Sequence, residues 1–181
     1  WNPGDGREIM DRAELIASFD LSRIGKSNSL FDRNKLMAFN TEHFKRTPMP
    51  TLVKHFRAYL NEIKSPVAAA DDAMLERIPK MNEGARTLEQ VEQKTRFAYI
   101  ADEAFTYDTA AVNKVLLKSD GLNILAEVGR RLAALNEITP DSIETMLRQL
   151  AEEKQVGLGK VAQPLRVAIT GTTVSPPIFE A

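Results

Sequence analysis

The sequence predicts an all-α fold. Apolar residues recur at helical spacing in one segment after another, no stretch alternates apolar and polar residues with period two, and helix start and stop residues stand at the segment ends. With 181 residues and 43% apolar content, the chain can bury one core or two smaller ones.

The elements follow in order. Leu15, Ile16 and Phe19 are apolar at helical spacing, and Leu36, Met37 and Phe44 continue the pattern. Leu52, Val53, Phe56, Leu60 and Ile63 form a clear stripe, which Ser65-Pro66 ends because the residue before proline avoids helical dihedrals. "DDAMLERI" predicts a short helix stopped by Pro79. "TLEQVEQKTRFAYIADEAF" places Leu88, Val91, Thr95, Ala98 and Tyr99 on one side of a longer helix. Thr109 is a candidate cap for "AAVNKVLLK", with Asp120-Gly121 as its stop and Lys118 in its last turn. "LNILAEVGRRLAALN" puts Leu122, Leu125, Val128, Leu132 and Leu135 on a common face. The best-marked helix is "TPDSIETMLRQLAEEK": Thr139 caps it, Pro140 suits its first position, and Asp141 favours its positive end. Ile143, Met146, Leu147 and Leu150 then fall on one face. The run from Val161 to Ile169 is apolar apart from Gln163 and Arg166, and a Gly-Thr-Thr-Val-Ser-Pro-Pro loop follows it.

Composition excludes several classes. With no cysteine there are no disulfides or thiolate metal sites, which fits a reducing compartment. No apolar run approaches a membrane span, and "WNPGDGREIM" has no signal-peptide shape. The opening at Trp1 without an initiator methionine is expected of a piece of a longer protein. The net charge of −1 is uneven: residues 1–66 carry 11 Lys/Arg against 8 Asp/Glu, residues 67–111 carry 5 against 9, and residues 112–181 carry 8 against 8. A protein that bound nucleic acid by bulk charge alone would be more basic, so any such contact must be local and geometric.

Motifs of catalysis fail on inspection. "GKS" at Gly25-Lys26-Ser27 resembles the end of a phosphate-binding loop, but Asp20 stands where the required first glycine belongs. "GLGKVA" from Gly157 to Ala162 fits a loose dinucleotide pattern without the strand that must precede it. His43 and His55 lack a second metal-type ligand on a shared face, and Asp71-Asp72 and Asp102-Glu103 are adjacent pairs that cap or solvate helices. The tail is different. Arg166 offers five fixed donors suited to base edges, the Ser175-Pro176 loop would present a hydroxyl and backbone groups on a stiff frame, and Arg148 could add donors. The competing reading is that Arg166 snorkels from an apolar helix or pairs with a glutamate.

Two long motifs carry a resemblance. "GLGKVAQPLRVAITGTTVSPPIFEA" closely resembles the C-terminal signature of bacterial glutamyl-tRNA synthetases, and "WNPGDGREIMDRAELIASFDLSRIGKSNSLFDRNKLMAFN" resembles a segment that precedes it in the same family. The match is weakest over 65–135. The family consists of class I aminoacyl-tRNA synthetases whose ATP-handling motifs lie upstream of this region. The resemblance implies the end of a stem-contact region over 1–55 and two small helical anticodon-binding subdomains over 56–111 and 112–181, the second cut short at its C-terminus. It implies a parent enzyme, cytoplasmic and monomeric, that joins glutamate to tRNA(Glu) with ATP and Mg2+. This portion would recognise tRNA and hold neither a catalytic residue nor a cofactor, DNA or membrane. The alternative is an all-helical protein-interaction module that binds no RNA.

By the same resemblance, Arg166 and Ser175-Pro176 would contact the first two anticodon bases, Ile178 and Phe179 would line their pocket, and Arg148 would belong to the same surface. Arg23, Lys26 and Ser27 look like a stem-contact patch. Pro177 departs from the glycine or variable residue usual at its position. Members that discriminate at the third anticodon base carry an arginine in the run matching "EGARTL", where this chain has Gly84. That implies a relaxed enzyme which also charges tRNA(Gln), unless Arg86 compensates or Gly84 simply ends the helix before it.

Overall fold

The computed structural model describes all residues except Lys26, Ser27, Ser29, Glu83, Ser119, Glu180 and Ala181. Helices dominate, and no strand occurs among the described residues, as the periodicity predicts. The chain divides into two compact units, Trp1–Pro48 and Met49–Ala181. The helix Met49–Glu62 therefore runs across position 55, where the resemblance set its first boundary.

The first unit contains α1 (Arg12–Ser18), a 3-10 turn (Leu21–Arg23) and α2 (Arg33–Arg46). Local chemistry starts each element. Asp11 accepts from the Glu14 N–H while Glu14 accepts from the Asp11 N–H, both at 2.8 Å, which satisfies two of the donors a helix start leaves open. Asp32 caps α2 by accepting from the Asn34 and Lys35 N–H groups. The apolar residues predicted to pack here do so weakly: Leu15, Ile16, Phe19 and Leu36 are exposed, whereas Met37 and Phe44 are half-buried.

In the second unit α3 (Met49–Glu62) buries Leu52, Phe56 and Leu60 of the predicted stripe against α4 (Asp72–Met81) and α5 (Leu88–Thr95), while Val53 is half-buried and Ile63 exposed. Pro79 does not stop α4. It is buried inside the last turns, where a missing N–H costs one bond, and the helix continues to Met81. Asn82 ends it, its Nδ2 donating to the Ile78 carbonyl at 2.9 Å and so satisfying one of the carbonyls a helix end leaves open. The predicted long helix after Thr87 is short. Thr95 bonds back to the Val91 carbonyl at 2.9 Å, a contact that competes with helix continuation, and a 3-10 turn (Arg96–Tyr99) replaces the α geometry. Glu92 is buried at 4% exposure because it accepts from Ser65 Oγ at 2.6 Å and Arg96 Nε at 2.7 Å.

α6 (Thr109–Ala111) is capped by Asp108 rather than Thr109, and it widens into a π turn over Val112–Leu117. Gly121 does not end that element. It opens α7 (Gly121–Ala133), whose buried face is Gly121, Ile124 and Val128, leaving the predicted Leu122 exposed. α8 (Pro140–Glu153) matches its prediction, with Thr139 and Ser142 capping each other and Met146, Leu147 and Leu150 buried. α9 (Leu158–Thr170) packs on α7, α8, the π turn and the Arg96–Tyr99 turn. It therefore joins the helices after residue 111 to those before it.

Candidate nucleic-acid interface

Arg166 owes its position to the buried residues around it on α9. Val161, Ala162, Pro164, Leu165 and Val167 are buried, which fixes the helix about its axis and brings Arg166 to the edge of the core, half-buried. Burial pushes the guanidinium's pKa down, because desolvation disfavours the charged form. A ligand rich in acceptors would relieve that cost. No carboxylate among the described residues pairs with Arg166, so the glutamate pairing that the sequence left open is not seen. Its Nε donates instead to Ser175 Oγ at 2.9 Å, leaving the two Nη groups of the fork for other acceptors.

The loop that carries Ser175 is tied down at both ends. Gly171 ends α9 in the left-handed region at φ 72°, and its N–H donates to the Val167 carbonyl at 2.9 Å. A Cβ there would lie 2.5 Å from the Thr106 carbonyl oxygen, so glycine is required on two counts. Thr170 Oγ1 donates to the Arg166 carbonyl at 2.9 Å, and Thr172 Oγ1 donates to the Val174 carbonyl at 2.8 Å. Ser175 Oγ then donates to the Pro176 carbonyl at 2.6 Å while accepting from Arg166. The serine hydroxyl thus holds the arginine and the proline loop together, with its one donor committed.

Arg166, Thr173, Val174, Ser175, Pro176 and Pro177 form one wall of a groove of about 620 Å³. The other wall comes from α4 and α5 and the turn between them: Lys80, Met81, Asn82, Gly84 and Lys94. Residues 82 positions apart in sequence, Gly84 and Arg166, therefore share one concavity. The described lining holds three cations and no carboxylate, against a net charge of −1 for the whole chain. Gly84 lies in a turn two residues beyond the Asn82 cap, so it is not the residue that ends α4, and nothing lies within 4 Å of the Cβ it lacks.

The remaining predicted residues lie elsewhere. Ile178 is 5% exposed and belongs to the core built by α7, α8 and α9, with Phe179 packed against that core. They support the loop from beneath rather than line the groove. Arg148 is exposed on α8 and pairs with Glu144 at 2.6 Å, away from the groove lining. Arg23 sits in the first unit's 3-10 turn, its guanidinium against Gly4, while Lys26 and Ser27 lie outside the described residues. Lys80, Asn82 and Lys94 were missed by sequence reasoning. Their only trace in the sequence is a lysine in the last turn of each of two short helices.

The family described as "Anticodon binding domain" matches residues 51–181, nearly the whole second unit. The chain belongs to the anticodon-binding domain family. Curated relatives extend the likeness over 99% of the chain, covering the first unit as well. It is 36% identical over 183 residues to a glutamate–tRNA ligase of Thermodesulfovibrio yellowstonii and 36% identical over 180 residues to one of Desulfosudis oleivorans. The chain spans 38% of the length of each of these two relatives. Among solved structures, a glutamate–tRNA synthetase of Elizabethkingia anophelis matches with a TM-score of 0.71 at 25% identity, covering 99% of this chain and 34% of that one. A glutamate–tRNA ligase of Elizabethkingia meningosepticum shares the fold, with a TM-score of 0.74 at 24% identity. In the anticodon-binding domain this groove collects Arg166, Ser175, Pro176 and Gly84. Among the described residues no group of His, Asp or Glu could hold a metal ion, and no helix is long and apolar enough to cross a membrane.

Proposed function

We propose that the chain is the anticodon-reading, tRNA-binding portion of a ligase that joins glutamate to tRNA(Glu), with ATP and Mg2+ handled by regions outside it. The observation that carries this reading is the cationic groove in which Ser175 holds Arg166 by its Nε and leaves the rest of the fork open. Splayed bases present acceptors that such a fork can satisfy, and the exposed Pro177 offers an apolar face for stacking, with Pro176 buried behind it. Arg148 would belong to the anticodon-binding surface, and in the first unit Arg23 with Lys26 and Ser27 would add sugar–phosphate contacts, which position RNA without specifying it. The parent would be a cytoplasmic monomer.

Binding of this chain to stem-loop RNAs bearing the glutamate anticodon, measured across a salt series, tests the reading. Affinity should fall steeply with salt and should drop when either of the first two anticodon bases is changed. Binding indifferent to those bases, or insensitive to salt, would leave the alternative of a helical protein-interaction module.

The same assay tests relaxed selection at the third base. By the resemblance, Gly84 stands where discriminating relatives carry an arginine whose donors oppose those of guanine, so C and G at the third position should bind alike and tRNA(Gln) should also be a substrate of the parent. At Gly84 an added Cβ meets nothing within 4 Å, so Gly84→Arg begins in open space. It should favour C over G at that position by roughly tenfold, the worth of about 1.4 kcal/mol of discrimination. Equal affinities for C and G in the Gly84→Arg protein would remove position 84 from recognition.

A further inference from the structure

The groove wall opposite Arg166 has charge that base reading does not use. Lys80 lies in the last turn of α4 and Lys94 in the last turn of α5. The two helices pack together, and both lysines line the same groove. No described residue forms an ion pair with either, and no described lining residue is acidic. Two cations held this way repel each other, and a helix C-terminus partly compensates each of them.

Asn82 lies between them in sequence and lines the same groove at 2% exposure. Its Nδ2 is committed to the Ile78 carbonyl, but its Oδ1 has no hydrogen-bond partner. A buried acceptor left unpaired is costly, and this one lies beneath the groove surface rather than on it. Two lysines across the groove from an arginine fork suit a ligand that carries both negative charge and base acceptors. A nucleotide has both.

We infer that Lys80 and Lys94 form a phosphate clamp, gripping the RNA backbone on the α4–α5 side of the groove while Arg166 reads bases on the other side. The inference rests on the RNA-binding reading above and adds a division of labour to it. An ammonium is a point charge that binds phosphate without a fixed orientation, whereas the guanidinium fork held by Ser175 is oriented. The clamp therefore positions the strand and carries no sequence preference.

The test is the salt slope of stem-loop binding for the Lys80→Gln/Lys94→Gln double variant of this chain, with circular dichroism to verify the fold. For a single strand, abolishing one lysine–phosphate pairing should reduce the slope of log K against log salt by about 0.7. The double variant should lose affinity equally for every base at the anticodon positions, and Lys80→Arg/Lys94→Arg should restore the slope. Methylphosphonate substitution, one backbone position at a time, should find a position at which removing the phosphate charge makes the glutamine variant no weaker than the parent chain. An unchanged slope in a folded glutamine variant, or a loss confined to particular bases, overturns the clamp while leaving the anticodon reading in place. Absence of salt-sensitive binding by the unsubstituted chain overturns both.

Discussion

Arg166→Ala is expected to weaken binding of stem-loop RNA by about 1–3 kcal/mol, the range found for one well-placed bidentate base contact. The protein should remain folded. The side chain is half-buried at the edge of α9, alanine favours the helix, and removing a partly desolvated cation relieves a cost rather than imposing one. Ser175 loses a donor but keeps its own bond to the Pro176 carbonyl at 2.6 Å. The signature of base reading is that the loss should depend on the first two anticodon bases: the variant should bind matched and mismatched RNAs more nearly alike. Arg166→Lys should rescue little, because an ammonium cannot both satisfy Ser175 and present a fork. Undiminished, still selective binding by a folded alanine variant would return Arg166 to a purely structural role. A uniform loss across all sequences would make it a phosphate contact instead.

How far the sequence foretold this arrangement depends on the range of the interactions involved. α8 was legible because its cap, its first-turn proline and its apolar stripe are all local and all agree. α3 was legible from its apolar stripe and the Ser65-Pro66 stop beyond it, which are also local. α5 was overextended because Thr95's bond to Val91 and the turn that follows leave no mark in apolar spacing. Pro79 was read as a stop although it is buried within the last turns of α4, a matter of packing rather than propensity. In the first unit, apolar spacing located the helices but not their burial, and Leu15 and Ile16 remain exposed.

At the site, Arg166 and Ser175 were singled out because they fall within one motif, nine positions apart, and the structure joins them directly. Gly84 entered only through resemblance, yet it lines the same groove. Lys80, Asn82 and Lys94 were silent because nothing in their own segments says what stands opposite. Their chemistry arises only when α9 packs on the Arg96–Tyr99 turn and the loop after Gly171 comes to face the end of α4. Ile178 moved the other way: the motif suggested a place in the pocket, and its burial against α7, α8 and α9 assigns it to the core beneath.

Gly121→Ala is expected to destabilise the second unit by about 1–3 kcal/mol or more, the range for forcing extra volume into packed structure. Helix propensity alone predicts the reverse, since alanine is favoured over glycine by about 1 kcal/mol in a helix interior. Steric geometry decides the sign. A Cβ on Gly121 would stand 2.0 Å from the Val115 carbonyl oxygen and 2.8 Å from both Cα and the carbonyl oxygen of Leu116. All three are backbone atoms of the π turn, so no side chain can rotate away, and relief requires the turn to move from α7. That movement would spread, because the π turn and α7 both pack on α9, the helix that positions Arg166. RNA affinity should therefore fall along with stability. The control lies on the same helix: Gly129 is exposed with nothing within 4 Å of its missing Cβ, so Gly129→Ala should stabilise by up to about 1 kcal/mol. Thermal melts of the two variants followed by circular dichroism should shift in opposite directions from the parent chain. If Gly121→Ala melts with or above Gly129→Ala, the π turn is not pressed against the start of α7, and the path from that turn through α9 to the groove loses its first link.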